Sequence, residues 1–294
     1  MKRFTLLMAT VLLYTAAGAQ DTVTVAKDKR DTIRIGNILI IKKGKNPSGI
    51  DSSSNDVNIT MGRRARTNSK ITTNWFIVDL GFANYVDKTD YSNTGSYLVN
   101  RPGYPDLGKS DFKLRTGKSV NVNIWFVMQR LSLVNNYVNL KYGLGVELNN
   151  YRYKSPLSYR EGGVIPYSGG TQTNAPFIFR DSIAFSKNKL AADYLTVPLM
   201  LNFTSHPNSG NKGIRLSAGV SAGYLYSQRN KQKSDAHGKD KNKGEYDMER
   251  FKLSYIAELG LGPVKLYGSY SPKSMYEHDL DIRPFTVGFR FGNL

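Results

Sequence analysis

The sequence predicts an all-β fold: an eight-stranded antiparallel up-and-down transmembrane β-barrel with an extended N-terminal tail. Three observations carry that expectation. From Asn74 onward, eight segments alternate between apolar and polar residues. Their connections alternate between long polar loops and tight turns, as a barrel crossing a bilayer requires. The 294 residues include 12% aromatic residues, with 19 Tyr, 27 Gly and no Cys. A hydrophobic share of 40% and a mean hydropathy of −0.42 exclude a helical membrane protein, and the supply of Tyr, Phe and Gly excludes a disordered chain. Without cysteine there is no disulfide scaffold, thiolate metal site, cysteine nucleophile or lipoprotein anchor.

Residues 1–19 read as a secretory signal peptide. Lys2 and Arg3 precede an apolar run from Phe4 to Tyr14, and Ala17-Gly18-Ala19 offers small residues for cleavage. The run falls short of the roughly 20 residues that a transmembrane helix needs. Losing Lys2 and Arg3 leaves 39 basic against 23 acidic residues, a net charge of +16 on an exported protein. Nucleic acid is therefore not an expected partner.

Residues 20–73 read as a periplasmic tail and linker, with no aromatic residue, 11 basic and 5 acidic side chains. Asp31 to Ile41 is its β-branched stretch, and the Lys, Gly, Asn and Ser-rich tract from Lys42 to Asn58 reads as linker. One strand or hairpin is expected. Ile33, Ile35, Ile38 and Ile40 would form an unpaired edge able to add to the sheet of a periplasmic or envelope protein.

Residues 74–294 make the barrel. Taking every second residue, the outward faces run Phe76 to Phe82, Val120 to Met128, Val138 to Leu148, Leu195 to Phe203, Ile214 to Tyr226, Phe251 to Leu261, Val264 to Tyr270 and Phe285 to Phe291. Trp75, Tyr137, Tyr151, Tyr153, Tyr194, Tyr224, Tyr226 and Tyr270 lie near strand ends and are expected to form interfacial girdles. The opposite parity carries Asp79, Glu147 and Glu258 with Lys141, Arg215, Lys252, Lys265 and Arg290. An eight-stranded interior is only wide enough for its own side chains, so these charges should interdigitate as a salt-bridged plug. Gln129 belongs to the same lumenal parity, and Pro198 implies a local bulge because a closed sheet has no free edge.

Tyr194-Leu195-Thr196-Val197-Pro198-Leu199-Met200-Leu201 resembles the Tyr-Leu-x-Ile/Val-Pro-Leu-Leu-Leu segment of the PorT-like outer-membrane β-barrel family of Bacteroidetes, which is similar to the small OmpA- and OmpX-like barrels. The resemblance covers about residues 74–294 and implies the barrel fold. It also implies a link to secretion or gliding machinery.

Four motifs resemble chemistry. Gly103-Tyr104-Pro105-Asp106-Leu107-Gly108-Lys109-Ser110 fits the phosphate-loop pattern, but no strand feeds it and no helix leaves it. Gly219-Val220-Ser221-Ala222-Gly223 fits the nucleophile elbow, yet it lies inside a continuous strand pattern. His278 with Glu277, Asp279 and Asp281 is a local group with cation-ligand chemistry, best read as a solvated loop. Arg229, Lys231, Lys233, Lys239, Lys241 and Lys243 mark a basic loop, read as solvated, with anionic lipid or polysaccharide as the alternative ligand. The expected function is non-enzymatic: a structural or partner-binding outer-membrane barrel in contact with outer-membrane lipid, without cofactor or metal. A small pore or transporter and a lipid-modifying enzyme are the rival readings.

Overall fold

The computed structural model describes residues 70–207 and 213–292, with three short strands in the N-terminal region. The signal peptide and residues 43–56 of the linker lie outside the described residues. The chain divides into two units, Met1–Asn68 and Ser69–Leu294.

In the first unit β1 (Thr32–Ile35), β2 (Ile38–Lys42) and β3 (Val57–Met61) form an antiparallel meander. Ile33 stands opposite Ile40 and Ile35 opposite Ile38, while Ile38 and Ile40 also face Met61 and Ile59. This corrects the expectation of an unpaired segment. A two-stranded hairpin is marginal alone, and Val57-Asn58-Ile59-Thr60-Met61, partly counted as linker, supplies the third strand. Within this sheet β2 is paired on both sides, and β1 and β3 are the edge strands.

The second unit runs β4 (Ile71–Asp87), β5 (Leu98–Val99), β6 (Val120–Val134), β7 (Val138–Arg152), β8 (Leu157–Arg160), β9 (Gly163–Val164), β10 (Gln172–Thr173), β11 (Phe177–Arg180), β12 (Lys187–Thr204), β13 (Ile214–Ser234), β14 (Gly238–Lys243), β15 (Phe251–Leu261), β16 (Val264–Tyr270) and β17 (Ile282–Phe291). Eight of these pair antiparallel into a closed ring in the order β4-β6-β7-β12-β13-β15-β16-β17, with β17 returning to β4. Closure pairs the backbone groups within the sheet, which a lipid environment demands. Outward side chains such as Leu80, Phe82, Val197, Leu199, Leu201, Leu216, Leu253, Val287 and Phe289 are exposed, and their strand neighbours Asp79, Pro198, Met200, Ser217, Lys252 and Arg290 are buried. An exposed apolar wall around a polar interior is the inverse of a soluble protein.

Three expectations change. The β6–β7 register shifts between Trp125 and Val127, so Phe126 is an extra, outward residue. Parity then reverses: Met128, expected outside, is fully buried, and Gln129, expected inside, faces out to bond Thr73. On β4 the matching position, Phe76, has a φ of 53°, and Trp75 and Phe76 are both exposed. The bulge expected at Pro198 falls elsewhere, between Asp193 and Tyr194 in the β12–β13 ladder. Pro198 keeps its register opposite Ser221; on its other side, the β12–β7 ladder has no pair at Val197 or Pro198, with unchanged register at Thr196↔Gly145 and Leu199↔Tyr142. A missing N–H thus costs a ladder step without shifting the strand.

The third change concerns aromatic residues. Trp75, Tyr137, Tyr224 and Tyr226 are exposed as girdle residues should be, but Tyr151, Tyr153 and Tyr194 are buried. Their position near strand ends suggested the interface, whereas their inward direction sends them into a core at the long-loop end. That core also holds Tyr97, Phe112, Leu157, Tyr159, Tyr246, Met248 and Tyr276. Strands β5, β11 and β8 form a small mixed sheet over it. The long loops are therefore packed into a cap.

Candidate functional site

Six of the eight charges expected in the lumen meet in one network. Arg290 on β17 stands directly opposite Asp79 on β4. Its Nε and Nη2 donate to Oδ1 and Oδ2 at 2.6 and 2.8 Å, a bidentate pair. Asp79 Oδ2 also accepts from Trp125 Nε1 at 2.7 Å and from Asn123 Nδ2 at 3.2 Å. The third donor of Arg290, Nη1, reaches Glu258, which also receives Lys141. A second ion pair joins Lys252 to Glu147.

Asparagines link the two groups. Asn149 donates to Glu147 at 3.0 Å, and Asn121 donates to Asn149 at 2.9 Å and to Asn123 at 3.0 Å. The path from Lys252 through Glu147, Asn149, Asn121, Asn123, Asp79, Arg290 and Glu258 to Lys141 is continuous. Lys141 and Glu147 sit on β7 and their partners Glu258 and Lys252 on β15, strands that are not neighbours in the ring. These bridges therefore cross the lumen. Three carboxylates balance three cations, which offsets the cost of burying them. Two spaces of about 30 Å³ each border the network, one lined by Lys141, Arg215 and Glu258, the other by Trp125, Ser221 and Tyr267. Each is large enough to hold an ordered water.

Lys265 is not drawn in: its Nζ donates to the Gly292 carbonyl at the short-turn end. Arg215 lines the same end with Arg130. Arg130 was missed because the Phe126 bulge, which reverses inside and outside, has no signature in the alternation. Asn149 follows the parity of Glu147 and was legible from it.

The catalytic motifs do not assemble. Ser221 is buried on β13 opposite Pro198 and Ser254, and the three histidines all lie in connections between strands. In the phosphate-loop look-alike the Gly108 N–H donates to the chain's own Asp111 at 3.1 Å. Asp111 in turn is held by Arg180 Nε and Nη2 at 3.1 and 2.8 Å. The N–H that would face a phosphate is thus engaged internally.

At the cap, His278 Nδ1 lies 2.8 Å from Asp247 Oδ1, and the His278 N–H donates to Oδ2 at 3.0 Å. Asp247, Glu277 and His278 could together offer ligand atoms to a cation. Asp247 replaces the expected Asp279 and Asp281, brought in by the Met248↔Tyr276 bridge. Its carboxylate raises the imidazole pKa, favouring an ion pair. Deeper in the cap, Tyr159 donates to Tyr153 at 2.7 Å and lies 3.1 Å from the Tyr276 hydroxyl. Burial pushes Tyr153 up to about 12, so these phenols remain neutral.

No curated protein matches the chain. Among solved structures it is similar to Ail, the attachment invasion locus protein of Yersinia pestis, at 16% identity and a TM-score of 0.29, covering 74% of this chain and 97% of that one. A second structure, Ail in complex with the heparin analogue sucrose octasulfate, gives 14% identity and a TM-score of 0.28 over 74% and 100% of the two chains. The family described as outer membrane protein beta-barrel domain matches residues 75–291, which is the eight-strand ring almost from end to end. The chain belongs to that outer-membrane β-barrel family.

Proposed function

We propose that this protein is a closed, non-enzymatic eight-stranded barrel of the outer membrane that acts through its surfaces, with its long loops outside and its N-terminal tail in the periplasm. The observation that carries this reading is the network crossing the lumen from Lys141 and Glu147 on β7 to Glu258 and Lys252 on β15. Such a plug removes the path a pore needs. Function then falls to the cap and to the tail, whose β1 presents a free edge to a periplasmic or envelope protein, such as a component of secretion machinery.

A photo-crosslinking residue in place of Ile33, on that edge strand, tests the partner role in intact cells. A discrete heavier band identified by mass spectrometry is the expected result. A clean monomer at Ile33 and at a matching position on β3 would overturn the role of the tail.

A further inference from the structure

We propose that the outward face formed by β7, β12, β13 and β14 beyond the ring is a docking surface for the phosphate groups of an outer-leaflet glycolipid. Register places Arg152, Lys189, Lys231 and Lys241 directly opposite one another across these four strands, as one row. The next row is Lys187, Lys233 and Lys239. Like charges directly opposite on one face of a sheet repel and destabilise it. Among the described residues, no ion pair joins an acidic side chain to any of these lysines, although Asp193 pairs with Arg229 beside them. Lys189 Nζ bonds the neutral Asn150 at 2.5 Å, and Arg152 Nη2 bonds the Ser186 carbonyl at 2.8 Å. Two aligned rows of cations gain most from an external polyanion.

The position of the rows selects the anion. They continue the lipid-facing wall: Leu148 precedes Arg152 on β7, Leu195 follows Lys189 on β12, and the exposed Tyr226 precedes Lys231 on β13. Those separations are four to six residues, roughly 13–20 Å along the strand and so about 10–15 Å in height at a tilt of about 35–45°. A phospholipid polar layer is only about 5–7 Å deep on each side. The long lysine side chains therefore stand at the height of a saccharide headgroup, where phosphates carried on sugar would meet them. This inference rests on the outward orientation of the long loops proposed above.

Native mass spectrometry of the detergent-solubilised full chain, titrated with lipid A, tests it. Lys189→Gln, Lys231→Gln and Lys241→Gln together should weaken binding about a hundredfold, from about fivefold for each lysine near a charged lipid. A variant carrying Lys109→Gln, Lys113→Gln and Lys118→Gln, with the same loss of charge elsewhere on the cap, should bind as the unaltered chain does. If the triple variant fails to fold, Lys241→Gln alone, on β14 outside the ring, should still give about fivefold. Equal affinity in the stripe variants, or equal affinity for lipid A stripped of phosphate, would overturn the proposal. Lysine-dependent binding of dextran sulfate without binding of lipid A would also overturn it, making the occupant a soluble polyanion. Failure here leaves the closed-barrel reading intact, whereas ion conduction through the lumen would refute that reading alone.

Discussion

Arg290 and Asp79 face each other across the seam where the last ring strand, β17, meets the first, β4, and their two parallel hydrogen bonds span it. The ring closes at this point, so the pair ties the lumenal network to closure. Arg290 holds both Asp79 and Glu258. Replacing Arg290 by Met removes the counter-charge of buried Asp79 and one of the two cations on Glu258, which keeps Lys141, and should destabilise the barrel by about 3–5 kcal/mol. Denaturant unfolding in lipid vesicles measures this, and adding Asp79→Asn should recover part of the loss.

Beside that pair, Gly81 and Gly288 are also directly opposite each other on β4 and β17. A Cβ on Gly288 would collide with the Leu80 carbonyl and the Gly81 Cα, both backbone, under the Tyr267 ring. Gly288→Ala should therefore lower the folded fraction, read as the heat-sensitive band on a denaturing gel. Gly268→Ala, whose Cβ would meet only the Thr286 carbonyl at 3.5 Å, should fold normally.

The cap should behave as a packed body. Lys154 and Arg160 are exposed, yet they flank Leu157 and Tyr159, which are buried in its core. Trypsin should cut slowly at these two sites in the intact protein. Tyr159→Ala, which forfeits about 3 kcal/mol or more of packing, should make both sites labile while the ring survives.

His278 should titrate above 6.5, because Asp247 accepts its hydrogen bond and stabilises the imidazolium. A raised folded pKa means that the pair's contribution is complete below the unfolded value and is lost as pH rises through the folded one. NMR titration of His278 checks the direction, and Asp247→Asn should bring the value back toward 6.5.

Much of the ring was legible because lipid outside and charge inside impose a two-residue period on every strand. Val197, Leu199 and Leu201 read as outward, and Asp79, Lys141, Glu258 and Arg290 as lumenal, from parity alone. Parity failed where the backbone adds a residue. Phe126 turned Met128 inward and Gln129 outward, and no side-chain pattern announces such a bulge. Tyr151 and Tyr194 were misplaced for a different reason, since a tyrosine near a strand end satisfies either an interface or a cap, and only its inward direction decides. The cap itself was hidden because its core residues are spread through loops as Phe112, Leu157, Tyr246 and Tyr276, without period. The tail's third strand lay across the end of a Ser and Asn-rich tract that reads locally as linker.

Single-channel recording of the purified full chain in a planar bilayer tests the closed lumen most directly. Bridges from Lys141 to Glu258 and from Lys252 to Glu147 predict a trace without conductance steps above the bare bilayer. Reproducible, stable steps from the folded protein would contradict the plug and make the barrel a pore.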